Sequence, residues 1–144
     1  MLRYMFGILL VIGKLHPNQP IVRILIINEN QRMLNLLSSC LRKAGHEVQS
    51  TNNPLHTIEL INESPPDLIL MDLMVSYLTC FEVISQIRSW KEKYIKIIIM
   101  TRINQENVIE QVFDMGVDDY ILLPLKQREL TARISRLERY TLAV

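Results

Sequence analysis

Short apolar runs alternate along most of this chain with stretches whose apolar residues recur every third or fourth position. "VRILII" (22–27) is a β-branched run that stops at Asn28-Glu29-Asn30, and it reads as a buried strand. Met33, Leu36, Leu37, Cys40, Leu41 and Ala44 then follow helical spacing, with Gly45 as a C-terminal stop. "HEVQS" (46–50) is a short second strand. Asn53 before Pro54 is an N-cap followed by proline at the first helical position, and Leu55, Ile58 and Ile61 form the stripe of that helix. "DLILM" (67–71) is the third strand, and a loop from Leu73 to Cys80 leads into a helix carrying Phe81, Ile84, Ile87 and Arg88. "IKIIIM" (95–100) is the fourth strand, ending at Thr101. Asn104 is expected to cap the next helix, with Val108, Val112 and Met115 inward and Gly116 beyond. "DYILL" (119–123) is the fifth strand, and Gln127 to Tyr140 forms a last helix with Leu130, Ile134 and Leu137 on one side.

Strands that are apolar throughout and alternate with helices imply a parallel sheet covered on both faces. Five such units predict an α/β, doubly wound five-stranded parallel sheet of order 2-1-3-4-5, a flavodoxin-like arrangement. Its switch point lies between the first and third strands, and ligands bind there beyond the carboxyl ends of the strands. Asn28 and Glu29 from the first strand and Asp72 from the third fall at that place.

Asp72 interrupts the apolar stretch "PPDLILMDLMV" (65–75), where a carboxylate is costly to desolvate without a partner. Two carboxylates and an amide converging on one point form an oxygen-rich site suited to Mg²⁺. A metal there would offset the repulsion between Glu29 and Asp72, and Asp72 could act as a nucleophile toward phosphorus. Thr101 would present a hydroxyl to a phosphoryl oxygen. The plainer reading is that Asp72 caps a loop while Thr101 merely ends a strand; their joint placement at neighbouring strand ends argues for the site.

The totals narrow the field. A chain of 144 residues fits one domain with a full core, and 49% hydrophobic with 22% charged residues is an ordinary globular balance. A net charge of +1 provides no general field toward nucleic acid or acidic membranes. Cys40 and Cys80 form neither a disulfide framework nor a zinc spacing, which suits a reducing cytoplasm. The apolar run Met5 to Ile12 follows Arg3, lacks a small-residue cleavage site, and is well short of the roughly 20 residues of a spanning helix. It reads as an extra element packed on the domain or on a partner, ahead of a leader or an anchor. The organisation expected is therefore an N-terminal apolar extension (1–21), a domain (22–140) and a short tail (141–144).

Residues from about 22 to 140 resemble a response-regulator receiver domain. "ILIINEN" stands at the family's acidic pair, "PDLILMDLM" at its phosphoacceptor aspartate, "IIIMT" at its switch threonine or serine, and "GVDDYILLPL" at its switch aromatic and lysine-proline pair. The resemblance implies Asp72 as phosphoacceptor, Thr101 and Tyr120 as the switch pair, and a Mg²⁺ site of Glu29, Asp72, Asn28 and the backbone carbonyl of Met74. It also implies a cis peptide bond before Pro124. The departures are Asn28 in place of an acidic residue, Ser76 and Cys80 where proline and glycine are usual, and Leu123 where the family has its lysine. Lys126 follows beyond Pro124, with its side chain expected in solvent.

The function this implies is a receiver of two-component signalling, phosphorylated on Asp72 and signalling through the surface of the fourth helix, fifth strand and fifth helix. The rival is a receiver fold that signals without phosphate as a protein-interaction module. An enzyme with turnover is not expected, since no GxGxxG or P-loop follows the first strand and no second aspartate lies two residues after Asp72. The partners implied are a histidine kinase or phosphotransfer protein, with a homodimer through that surface or the N-terminal extension as a further possibility. Nucleic-acid binding within these residues and membrane insertion are not expected. Mg²⁺ is expected to bind weakly, because Asn28 removes one negative charge.

Overall fold

A computed structural model describes residues 21–73 and 77–142. The N-terminal extension to residue 20, Met74, Ser76 and the last two residues of the tail lie outside the described residues. The elements are β1 (Arg23–Ile27), α1 (Gln31–Lys43), β2 (Glu47–Thr51), a 3₁₀ turn (Pro54–His56), α2 (Thr57–Glu63), β3 (Leu68–Met71), α3 (Tyr77–Ser89), β4 (Lys96–Thr101), α4 (Glu106–Asp114), β5 (Asp119–Leu122) and α5 (Gln127–Leu142). All strand pairs are parallel, in the order β2-β1-β3-β4-β5 expected from the pattern.

Alternation along the strands divides the core in two. Leu25, Ile27, Ile69, Met71, Ile97 and Ile99 face the side covered by α2, α3 and α4, where Ile61, Ile84 and Val112 pack on them. Ile24, Ile26, Leu68, Leu70, Ile98 and Met100 face the other side, under Leu37, Leu41, Leu130 and Ile134 of α1 and α5. Gly45 ends α1 at φ +96°, a conformation that favours glycine. The Leu123–Pro124 bond is cis, as the resemblance implies.

Several local expectations need correction. Asn53 does accept from the Leu55 N–H as an N-cap, but the turn it starts is 3₁₀. That tighter winding turns Leu55 outward, 73% exposed, and gives the inward place to Thr57. The helix after β3 begins at Tyr77, so Cys80 is a fully buried core residue rather than the end of a loop. A cysteine serves there as a small apolar side chain, with its thiol 3.5 Å from the Asp72 carbonyl oxygen. Gln105, not Asn104, occupies the N-cap of α4 and makes no side-chain cap bond. The last helix continues two residues past Tyr140.

At the amino ends of β4 and β5 the sequence pattern did not announce a polar cluster. The Arg88 guanidinium donates to the carbonyls of Gly116 (2.8 Å) and Ile95 (2.6 Å) and to Asp118 (3.0 Å), and lies over the Tyr94 ring. Asp118 also accepts from the Ile97 N–H and the Tyr94 hydroxyl. Burial and this carboxylate together raise the Tyr94 hydroxyl above its ordinary pKa. Arg88→Ala would strand a largely buried carboxylate and is expected to cost about 3 kcal/mol. The exposed Arg23–Glu47 pair should contribute under about 1 kcal/mol. Urea denaturation of Arg88→Ala and Arg23→Ala measures both.

Candidate functional site

The site is assembled by continuation of the strand ladder past the strand ends. The Asp72 N–H donates to the Ile27 carbonyl at 3.0 Å, which sets Asp72 beside the start of the Asn28-Glu29-Asn30 loop. The Asn28 N–H donates to Thr51 at 3.1 Å, and the Leu123 N–H to Thr101 at 2.9 Å. These bonds tie neighbouring strand ends together at the carboxyl edge of the sheet, and the chemistry-bearing side chains come from β1, β3 and β4.

The first-strand loop holds itself in shape. Asn28 is buried, and its carboxamide oxygen accepts from the Asn30 N–H at 2.9 Å. Asn30 in turn caps α1, accepting from Arg32 and Met33. Asn28 therefore spends one lone pair on its own turn, while Glu29 stays exposed at the N-terminus of α1.

Asp72 is half-buried, and burial is the main cause that pushes its carboxyl above the ordinary value. A hydrogen bond from Thr101 opposes this, the charge of Glu29 adds to it, and the charge of Arg102 opposes it. Thr101 is buried at 2% exposure, with its hydroxyl 3.4 Å from the Leu73 carbonyl. The Thr101 hydroxyl thus stands between that carbonyl and the Asp72 carboxyl, which it stabilises in the ionised form. The same oxygen accepts from the Ile103 N–H at 3.5 Å. The Tyr120 hydroxyl donates to the Ile103 carbonyl, and its ring lies 6.4 Å from that of Phe113. Burial, then the nearby Asp72 charge, raises the Tyr120 hydroxyl as well. The structure thus brings Glu29, Asp72, Thr101 and Tyr120 together. Leu123 is half-buried against the α1/α5 core, and Lys126 is exposed. Arg102 was missed in the sequence, where a polar residue after a strand end gives no signal of its own.

Comparison with known proteins decides the family. The response regulator receiver domain profile matches residues 24–135. This chain is a member of the receiver family. It is 33% identical over 120 residues to the DNA-binding dual master transcriptional regulator RpaA of Synechocystis, and 31% identical over 118 residues to the transcriptional regulatory protein SrrA of Staphylococcus aureus. Those alignments cover 83% and 82% of this chain, which spans about half the length of either relative (50% and 48%). A two-component response regulator from Clostridium difficile superposes with a TM-score of 0.76 at 26% identity, covering 82% of this chain and 96% of that one. The chemotaxis response regulator CheY4 of Vibrio cholerae, at TM-score 0.73 and 18% identity, shares the fold over 81% of this chain and 98% of its own. Receiver domains act in two-component systems with histidine kinases or phosphotransfer proteins, and typically bind Mg²⁺ at the phosphorylation site.

The donor set of this receiver fits such an ion with few protein ligands. Among the described residues no cluster of three or more His, Cys, Asp or Glu side chains forms a cage. Two carboxylates that repel one another, with the remaining positions left to water and phosphoryl oxygens, match the way Mg²⁺ is commonly held.

A stability prediction follows from Asp72. With its pKa raised in the fold, the native state holds that proton more tightly than the unfolded chain, so folding loses stability as pH rises through the ordinary carboxylate value and up to the raised one. In metal-free buffer at neutral pH, Asp72→Asn should melt higher than the parent protein. The gap should close as pH falls below about 4, where both states are protonated. Thermal melts across that range check the sign.

Proposed function

We propose that this receiver accepts a phosphoryl group on Asp72 and signals through Thr101 and Tyr120 to the surface of α4, β5 and α5. The observation that carries this reading is the hydroxyl–carboxyl pair of Thr101 and Asp72, set beside Glu29 by the Asp72–Ile27 ladder bond. A carboxylate oxygen of Asp72 attacks phosphorus in line with the leaving group; the bond from phosphorus to the donor breaks, and the donor leaves with its electron pair. A half-buried charge replaced by a larger, doubly charged one moves the Thr101 hydroxyl toward a phosphoryl oxygen. Thr101 then loosens from Ile103, whose carbonyl anchors Tyr120. The readout lies beside that ring, where Phe113 and Leu122 are exposed large apolar side chains.

Glu29 and Asp72 would hold Mg²⁺, which supplies charge neutralisation for the entering group; with Asn28 beside them the affinity is weak. The carbonyl of Met74 completes the set by resemblance. The reaction is stoichiometric labelling, not turnover of a substrate. Among the described residues no helix is long and apolar enough to cross a membrane, and a cytoplasmic site of action alongside a histidine kinase suits the reading. By analogy with RpaA and SrrA the output is transcriptional control, with nucleic acid contacted by residues other than those of this receiver. The α4–β5–α5 surface would meet the output partner or a second copy.

Acetyl phosphate with Mg²⁺ should add the mass of one phosphoryl group to the protein and none to Asp72→Asn. Thr101→Ala should be labelled roughly tenfold more slowly, from loss of a hydrogen bond to a charged group. Intact-mass spectrometry reads both. Labelling of Asp72→Asn at the parent rate would place the acceptor elsewhere.

A further inference from the structure

The crevice lacks a cation where the family has its lysine, since Leu123 there turns onto the α1/α5 core. Phosphoryl oxygens would bring further negative charge to a place already holding Asp72 and Glu29, and stable binding of such a group needs a positive partner. One stands just past the end of the neighbouring strand. In the β4–β5 register Thr101 pairs with Leu122, and the Leu123 N–H donates to the Thr101 carbonyl. That carbonyl belongs to the peptide group leading into the next residue, so the residue after Thr101 adjoins Leu123 across the two strand ends. That residue is Arg102.

Arg102 is placed by its neighbours rather than by contacts of its own. Thr101 before it is buried, and Ile103 after it is held at both backbone groups, its N–H by Thr101 and its carbonyl by Tyr120. The Arg102 side chain is exposed and, among the described residues, makes no hydrogen bond or ion pair, unlike Arg88 and Arg133, which are spent on Asp118 and Asp119. Its charge nevertheless reaches Asp72 and favours the ionised carboxylate there.

We propose that the Arg102 guanidinium binds the phosphoryl group on Asp72, supplying from the end of β4 the cation that Leu123 does not supply from β5. This rests on Asp72 being the acceptor. A guanidinium suits the task because its planar fork matches two phosphoryl oxygens and stays protonated throughout the transfer. Attack by the Asp72 oxygen on acetyl phosphate forms one O–P bond and releases acetate with the electron pair of the other, while Arg102 neutralises the equatorial oxygens without exchanging a proton. An exposed side chain can also swing aside to admit a donor, which a cation packed along the strand cannot do as readily.

The test compares the parent protein with Arg102→Gln, Arg102→Lys and Lys126→Ala, each checked for folding by circular dichroism. Labelling by acetyl phosphate with Mg²⁺ is followed by intact mass, and beryllofluoride affinity by ¹⁹F NMR. Arg102→Gln should slow labelling roughly tenfold or more and weaken beryllofluoride binding in parallel. Arg102→Lys should keep more of both than Arg102→Gln, and Lys126→Ala should match the parent protein. Labelling of Arg102→Gln at the parent rate or faster would overturn the proposal while leaving Asp72 as acceptor. So would an Arg102→Lys protein as slow as Arg102→Gln, or a loss confined to Lys126→Ala. A parent protein that takes neither phosphoryl group nor beryllofluoride would defeat the acceptor reading and this proposal with it.

Discussion

Burial of both faces of β1, β3 and β4 is the constraint on which the rest of this receiver depends. From Ile24 to Ile27, Leu68 to Met71 and Ile97 to Met100 every side chain is essentially without solvent. No polar group can be placed within those segments without a partner, so polar chemistry is confined to the strand ends. The two ends are then used differently. At the amino end the polar groups satisfy one another, with Asp118 accepting from Arg88, Tyr94 and the Ile97 N–H. At the carboxyl end burial, and after it the like charge of Glu29, hold the Asp72 carboxyl above its ordinary value, and the one hydroxyl beside it, Thr101, offsets this only in part. An end that is saturated holds the sheet together; an end that is not can take up a ligand.

That contrast explains what could be read without coordinates. Strand order and the strand-end positions of Asp72, Glu29 and Thr101 were legible, because each follows from runs of apolar residues and from the places where they stop; on α1 the apolar spacing included Leu36, which is 49% exposed, and passed over Leu34, which is buried. Leu55 was misplaced because a 3₁₀ turn and an α-helix share the same cap and proline signal while directing the second residue differently. Cys80 was misread because the helix starts at Tyr77, earlier than its apolar spacing indicated, and a cysteine serves in a core as a small apolar side chain. The Arg88–Asp118 cluster joins residues 30 positions apart, and no local pattern marks it. Arg102 is a further example: an exposed arginine is ordinary on any surface, and only the bond from the Leu123 N–H to the Thr101 carbonyl shows that it adjoins the strand end at Leu123.

The same geometry links the acceptor to a surface. Thr101 touches Ile103, Ile103 is held by Tyr120, and Tyr120 lies beside Phe113 on α4. Each contact is local, and each is of a kind that has an alternative geometry, which a switch requires. The N–H of Tyr120 is also tied to its neighbour Asp119, which pairs with Arg133 of α5 through two 2.8 Å contacts. A change at Tyr120 is thereby placed next to both helices that flank β5.

The most direct test of the account is where the protein responds when the crevice is charged. Amide ¹H–¹⁵N NMR spectra recorded with Mg²⁺, before and after addition of beryllofluoride, report this residue by residue. The account predicts the largest shifts at Glu29, Asp72 and residues 101–103, with a second group at Phe113, Tyr120 and Leu122, and little change at Arg88, Tyr94 or Asp118. Shifts centred on the Arg88 end, or shifts at Asp72 with none at Tyr120 and Phe113, would contradict it.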